Sequence, residues 1–268
     1  MGINTALTFA SSTTDRVTLP TTFLDNVDPA TFVAWVTLRT LSQNAVRIMT
    51  KNAGAARHNF FPQDFIGGGA GYGLELFRGR ATTSLDIHAN WTNFFGATAN
   101  IPMFLAGQSD LNTAGNNRLF VGTQSIPAAE PSSYSVQTNG SGTATSNAGQ
   151  VCLIGNQDGQ SFSLQGAIHW LGVWNATLSL AELLDLQHHP LTSPLLMRAL
   201  AWWMPGTNGA GPVLDLTGKG NHGLITGAMA VSNNLPIVTP RLPRRYWDIG
   251  AVTPVGRAVP SFTLLGVT

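Results

Sequence analysis

The sequence predicts an all-β protein, a two-sheet antiparallel sandwich with one short helix near residues 179–187 and an irregular C-terminal arm. Two observations predict it. Residues 167–174 alternate small or polar groups with large apolar ones, Trp, Val and Ile among them, the pattern of a half-buried strand. Charged residues make up only 10% of the 268-residue chain and apolar ones 43%, while Gly, Ser, Thr, Asn and Pro abound, the profile of many short strands joined by Gly- and Asn-rich turns. Outside 179–187 no window carries a sustained 3.6-residue period, although residues 193–203 have room for one or two helical turns.

The helix follows its strand directly. Ser179 stands where an N-cap belongs, with Glu182 three residues later. Each side chain can therefore satisfy the other's exposed backbone N–H in a capping box ahead of Leu180-Ala-Glu-Leu-Leu-Asp-Leu186. His188 and His189, just before Pro190, fall at the end of this helix, where they favour the dipole. Gly67-Gly-Gly-Ala-Gly-Tyr-Gly73 lacks the Gly-Lys-Ser/Thr ending of a phosphate loop and reads as a wide hairpin turn.

The unit from Gly166 to Leu183 also resembles the closing segment of laminin-G-like, concanavalin-A-like jelly-roll domains, "G-x-I-x-x-V-x-I-x-N-x-x-L-S-x-x-E-I". Gly166, Ile168, Leu171, Val173, Trp174, Asn175, Leu178, Ser179, Glu182 and Leu183 match it. Upstream, Ala6-Leu-Thr-Phe9, Arg16-Val-Thr-Leu19 and Thr31-Phe-Val-Ala-Trp-Val-Thr-Leu38 resemble the family's opening strands. Asn117-Arg-Leu-Phe-Val-Gly122 and Val151-Cys-Leu-Ile-Gly155 are similar to its "R-L-Y-V-D-G" and "L-x-I-G" strands. There are two departures: the Asp of the "V-D-G" turn is missing, and Asp215-Leu-Thr-Gly-Lys-Gly-Asn-His-Gly223 resembles a turn that usually opens such domains. The resemblance implies a jelly roll over 1–232 with Trp35, Ile168, Val173 and Phe120 between or against its sheets. Residues 201–227 would supply an edge strand and turn transposed from the other end.

With 14 basic and 13 acidic residues the net charge is +1, too weak a field to attract a polyanion, so nucleic acid is not an expected partner. Cys152, the one cysteine, is expected as a small buried hydrophobe. The N-terminus shows no positive region followed by an apolar run, and no stretch approaches the roughly 18 apolar residues of a membrane span. Neither a cleavable signal nor membrane insertion is expected.

Residues 233–268 differ from the rest. Pro236, Pro240, Pro243, Pro254 and Pro260 interrupt ladder pairing, while apolar groups are too many for a freely solvated tail. The expectation is a docking arm that buries Tyr246, Trp247, Phe262, Leu264 and Leu265, with Arg244 and Arg245 at the polar rim of the contact. Packing on the protein's own sandwich and docking on a neighbouring subunit both remain open.

Catalytic signals are weak. Sandwich glucanases set two carboxylates on one strand facing the substrate. Here Glu75 stands alone on the apparent strand 72–77, Asp86 belongs to the next, and Asp25 and Asp28 lie in a turn. No Gly-x-Ser-x-Gly elbow marks a nucleophile. Calcium candidates are Asp110 with Asn112, and Asn156 with Asp158; each set offers one carboxylate, where a tight site wants six to eight oxygens, so no cofactor is expected. Sugars stack on loop aromatics beside amides, which makes Trp91 with Asn93, and Tyr134, the glycan candidates, although the family's Trp near position 91 is structural.

Three function classes follow. The first is a non-catalytic structural protein of an assembly: a single laminin-G-like domain joined to a Pro-rich apolar arm resembles capsid-decorating or other virion proteins of tailed bacteriophages. That resemblance implies virion subunits or its own copies as partners and a virion location, the alternative being extracellular by a route without a signal peptide. The second is a glycan-binding lectin module recognising cell-surface sugars. The third, a glycoside hydrolase or lyase, lacks its carboxylate pair.

Overall fold

A computed structural model of the chain describes residues 6–10, 14–43, 46–51, 58–64, 72–110, 112–157, 162–206, 211–227 and 230–232. Their strands form two antiparallel sheets packed face to face, seven-stranded and eight-stranded among the described residues. The first sheet runs β15 (Ala230–Ser232), β1 (Ala6–Ala10), β12 (Gln165–Trp174), β3 (Ala30–Leu38), β8 (Pro102–Ser109), β9 (Arg118–Thr123). A further strand, β13 (Ala201–Trp203), pairs with the far half of β12, in line with β1. The second sheet runs β10 (Val136–Thr138), β7 (Leu85–Asn90), β6 (Tyr72–Arg78), β5 (His58–Asp64), β4 (Met49–Lys51), β11 (Cys152–Ile154), β2 (Arg16–Leu19), β14 (Leu224–Thr226).

Period-two alternation sends Val17, Leu19, Met49, Phe60, Leu74, Leu76 and Ile87 from one sheet, and Leu7, Phe9, Phe32, Leu105, Ile168 and Val173 from the other, into one interior. The first sheet is buried on its other face too. There Val33, Trp35, Phe104, Phe120, Trp170 and Trp174 lie beneath Leu183 and Leu186 of helix α1 (Leu180–His188) and Leu195 and Leu196 of the 3₁₀ turn Pro194–Arg198. Trp35, Ile168, Val173 and Phe120 are thus all buried as expected, two between the sheets and two under the helix. Cys152 is buried in β11.

Both halves of the expected capping box form: Glu182 N–H donates to Ser179 Oγ at 3.3 Å, and Ser179 N–H to Glu182 Oε2 at 2.8 Å. Ser179→Ala is expected to lower stability by about 1 kcal/mol, read as a shift of the urea midpoint at constant slope. The described residues of 201–227 supply two strands and a turn. β13 extends the first sheet, β14 edges the second beside β2, and Asp215 wires the turn between them, accepting from Thr217 N at 3.0 Å and Asn221 N at 3.0 Å.

The crossover from β2 to β3 closes one end of the core by means the sequence did not announce. Lys51 and Arg78 occupy one cross-strand row, each opposite His58, at the ends of strands whose alternation points them inward. Lys51, fully buried, donates to Thr21 O at 2.6 Å, to Phe23 O at 2.7 Å and to Asp25. Arg78, also buried, donates to Asp28 Oδ1 at 2.7 Å, to Ser109 Oγ at 2.6 Å and to Val27 O. The acid pair of that turn is therefore bound to two interior cations. The docking residues Arg244, Arg245, Tyr246, Trp247, Phe262 and Leu264 lie outside the described residues, as does Asp158.

Candidate functional site

The glycan candidates fall at a rim where β7 ends and the chain makes one 3₁₀ turn, Trp91–Asn93. Trp91 is 5% exposed: its indole N–H donates to Leu41 O at 3.0 Å and its ring lies 6.1 Å from that of Phe94. Of its two readings, the buried one is realised, and no ring face is left for a sugar. Tyr134 is half-buried. Its hydroxyl accepts from Leu119 N–H at 3.0 Å and donates to Glu130 Oε2 at 3.4 Å, and burial holds the phenol above its ordinary range. Asn93 ties the rim together through Nδ2 to Ser133 O at 3.0 Å and through its carbonyl to Ser132 N–H at 2.8 Å. These three residues act as a brace.

What the brace presents is Phe95, 80% exposed, which the sequence reading passed over. Its neighbour Phe94 is buried, and Gly96 has φ +85°, where an added side chain would meet Ile126 Cδ1 at 2.4 Å. The ring is thus held outward by anchors on either side. Thr92, Ser125, Ser132 and Ser133, on the braced turn and the two segments packed beside it, are exposed as well. An exposed ring on a turn that also shows hydroxyls to solvent has the chemistry to stack on a sugar's C–H face and hydrogen-bond its hydroxyls.

The calcium candidates have other work. Asp110 Oδ1 accepts from Asn112 N–H at 2.8 Å and Thr113 N–H at 3.2 Å, and Oδ2 from Asn116 Nδ2 at 2.8 Å. Burial pushes this carboxyl up, but the bonds from Asn116, Asn112 and Thr113 outweigh it and hold it below its ordinary range. Asn156 is fully buried, its Nδ2 donating to Asp15 O at 3.2 Å and its Oδ1 accepting from Gln157 N–H at 2.8 Å. Among the described residues no group of three or more His, Cys, Asp and Glu is placed to hold a metal.

The carboxylates read as separate come together across strands. Glu75 lies opposite His88, and Asp86 opposite Phe77, so all three polar groups share the face of the eight-stranded sheet that points away from the core, with Asn59 and Thr50 beside them. That face is closed at its centre. Thr50, Asn59, Glu75 and His88 are each at most 3% exposed, and a side chain at Gly73 would meet His88 Nε2 at 2.7 Å. A glycosidase needs its two carboxyl groups flanking an open groove. A separate cleft of about 360 Å³ opens beside the start of α1, but its charged groups are engaged, Arg118 with Glu130 at 2.9 Å and Glu182 with Ser179 and Arg198.

The sequence matches no protein-family model and no curated protein. Among solved structures, the chain is similar to a candidate carbohydrate-binding protein from Bacteroides ovatus, at 15% identity and a TM-score of 0.57, over 88% of this chain and 62% of that one. It is also similar to the heptameric SAP-like pentraxin of Limulus polyphemus, at 11% identity and a TM-score of 0.51, over 86% of this chain and 95% of that one. The chain therefore spans less than two thirds of the Bacteroides protein, and at these identities what is shared is the antiparallel sandwich.

Proposed function

We propose that this chain is a non-catalytic carbohydrate-binding sandwich that meets its sugar at the rim carrying Phe95. The observation that carries the reading is a turn anchored by buried Trp91 and Phe94 whose outward aromatic, Phe95, is 80% exposed near Asn93 in sequence. Leaving a phenylalanine in water forgoes roughly 1.5 to 3 kcal/mol of burial, which a stacked sugar ring recovers in part. The fold adds a scaffold shared with the candidate carbohydrate-binding protein of Bacteroides ovatus.

The test is a glycan array read with the full chain. Phe95→Ala is expected to weaken any binding glycan at least about tenfold, some 1.4 kcal/mol, while the melting temperature stays within error. Trp91→Ala should instead lower the melting temperature, because its ring is core. Binding that survives Phe95→Ala, or no glycan bound at millimolar concentration, refutes the site. Release of product from the same glycans, abolished by Glu75→Gln, would refute the non-catalytic part.

The finer proposal places the module on a virion surface, with capsid subunits or its own copies as partners. The support is chemical: a sandwich with no open carboxylate pair among the described residues, joined to the apolar, Pro-punctuated residues 233–268. Truncation after Ser232 is expected to keep the cooperative melt and abolish incorporation into particles, scored by co-sedimentation. Unchanged incorporation would remove the arm from assembly.

A further inference from the structure

We infer that the cleft beside the start of α1 is a second saccharide site, suited to one neutral sugar ring and separate from the rim that carries Phe95. At about 360 Å³ it falls within the range of small-ligand pockets, roughly 300 to 1,000 Å³. Buried Gln108, at the end of β8, and buried Phe120, on β9, form its floor, and the more exposed Arg118, Thr177 and Leu180 its walls. The inference stands on this cleft alone and does not require the Phe95 reading.

The floor carries the argument. Gln108 is 3% exposed, and its Nε2 donates to Leu178 O at 2.6 Å, which ties the turn before α1 down onto the sheet and fixes the plane of the amide. Its Oε1 accepts from no group among the described residues, so a buried carboxamide oxygen lines the cleft ready for an entering donor. Arg118 is fixed in the same way on the opposite side. Nε donates to Gly115 O at 2.6 Å and Nη1 to Glu130 Oε1 at 2.9 Å, which orients the guanidinium and leaves Nη2 as a donor. Thr177, half-buried, adds a hydroxyl. An acceptor, a donor and a hydroxyl around one small space match a ligand whose own groups both donate and accept, which is a polyol. Phe120 on the floor and Leu180 on the wall supply contact for the C–H face of its ring.

Charge makes that ring a neutral one. Arg118 is paired with Glu130 at 2.9 Å and Glu182 with Arg198 at 3.3 Å, so two acids stand against two bases around the cleft. The N-terminus of α1 favours negative charge, but Glu182 already supplies it, bonded to Ser179 N–H at 2.8 Å and Oγ at 2.9 Å. The cleft and the rim lie toward opposite ends of α1 and β9. Ser179, at the start of the helix, lines the cleft with Arg118, whereas Gln187, near its end, donates to Thr123 O and Ile126 O, each at 2.7 Å. The Phe95 turn abuts Ile126 through Gly96. The six residues of β9 from Arg118 to Thr123 span roughly 17 Å, so a ring in the cleft does not touch the rim. Two such sites on one domain make the chain bivalent toward a polysaccharide, a consequence that does rest on the Phe95 reading.

An NMR titration of the isotope-labelled full chain with glucose, galactose, mannose and N-acetylglucosamine, each to millimolar concentration, tests the cleft. At least one sugar is expected to shift the side-chain amide of Gln108 and the backbone amides of Leu178, Ser179, Leu180 and Ala181 with saturation, and Phe95→Ala to leave those shifts in place. Leu180→Glu puts a charge into the cleft at an exposed first-turn position where a carboxylate suits the helix, and Arg118→Ala removes the oriented donor. Each is expected to weaken the binding at least about tenfold at an unchanged melting temperature. Absence of shifts with all four sugars, shifts confined to residues 91–96, or saturation at 178–181 that survives both Leu180→Glu and Arg118→Ala overturns the proposal. Shifts at 91–96 that vanish in Phe95→Ala while those at 178–181 persist support two independent sites.

Discussion

Asp28→Asn is expected to destabilise the sandwich by about 3 kcal/mol, as measured by chemical denaturation, because it leaves a guanidinium charged and uncompensated inside the protein. Arg78 is buried at the end of the core, and burial pulls its pKa down to about 10 even though Asp28 pushes the other way. The pair is 2.7 Å apart with side-chain exposures of 2% and 10%, so solvent screens it little. Adding Arg78→Met to Asp28→Asn should recover much of the loss, since the cost lies in the orphaned charge and not in the absence of a bond. A loss below about 1 kcal/mol in the single variant would mean that Arg78 reaches water when its partner is gone.

Acid is expected to weaken the fold through His169. This residue sits where β12 shifts register between Ile168 and Trp170, 2% exposed, with Nε2 2.8 Å from Thr37 Oγ1. Burial lowers its pKa from 6.5 to about 4. As pH falls through 6.5 the unfolded chain takes up a proton that the native state refuses. Stability present at neutral pH is therefore lost between 6.5 and about 4, by roughly 3 kcal/mol, and below that window this group removes no more. Denaturation across that range, compared with His169→Gln, isolates the contribution from that of the carboxylates. Parallel pH profiles for the two proteins would show that His169 titrates normally.

The strands and the helix were legible because their signals are local. The 167–174 alternation appears as β12, buried on both faces and not on one, because α1 covers its second face, and Ser179 with Glu182 starts α1 as read. β8 was harder: its residues Pro-Met-Phe-Leu-Ala-Gly-Gln-Ser are buried throughout because α1 covers the second face of its sheet, and a strand buried on both faces does not alternate. The stretch 193–203 holds one helical turn and then a strand, since β13 finds a partner edge on β12.

By itself the sequence determined that this chain forms an antiparallel sandwich with one capped helix, because alternation and capping act between residues a few positions apart. Tertiary structure decided the chemistry of the surface. In Asn90-Trp-Thr-Asn-Phe-Phe-Gly96 nothing periodic says which ring faces water; a carbonyl at Leu41, 50 residues before Trp91, and the backbone of Ser132 and Ser133, about forty residues after the turn, hold Trp91 in and leave Phe95 out. The same holds for charge. A period of two tells which side chains of one strand share a face, but only the register with the neighbouring strand set Glu75 beside His88 and aimed Lys51 and Arg78 at the turn holding Asp25 and Asp28.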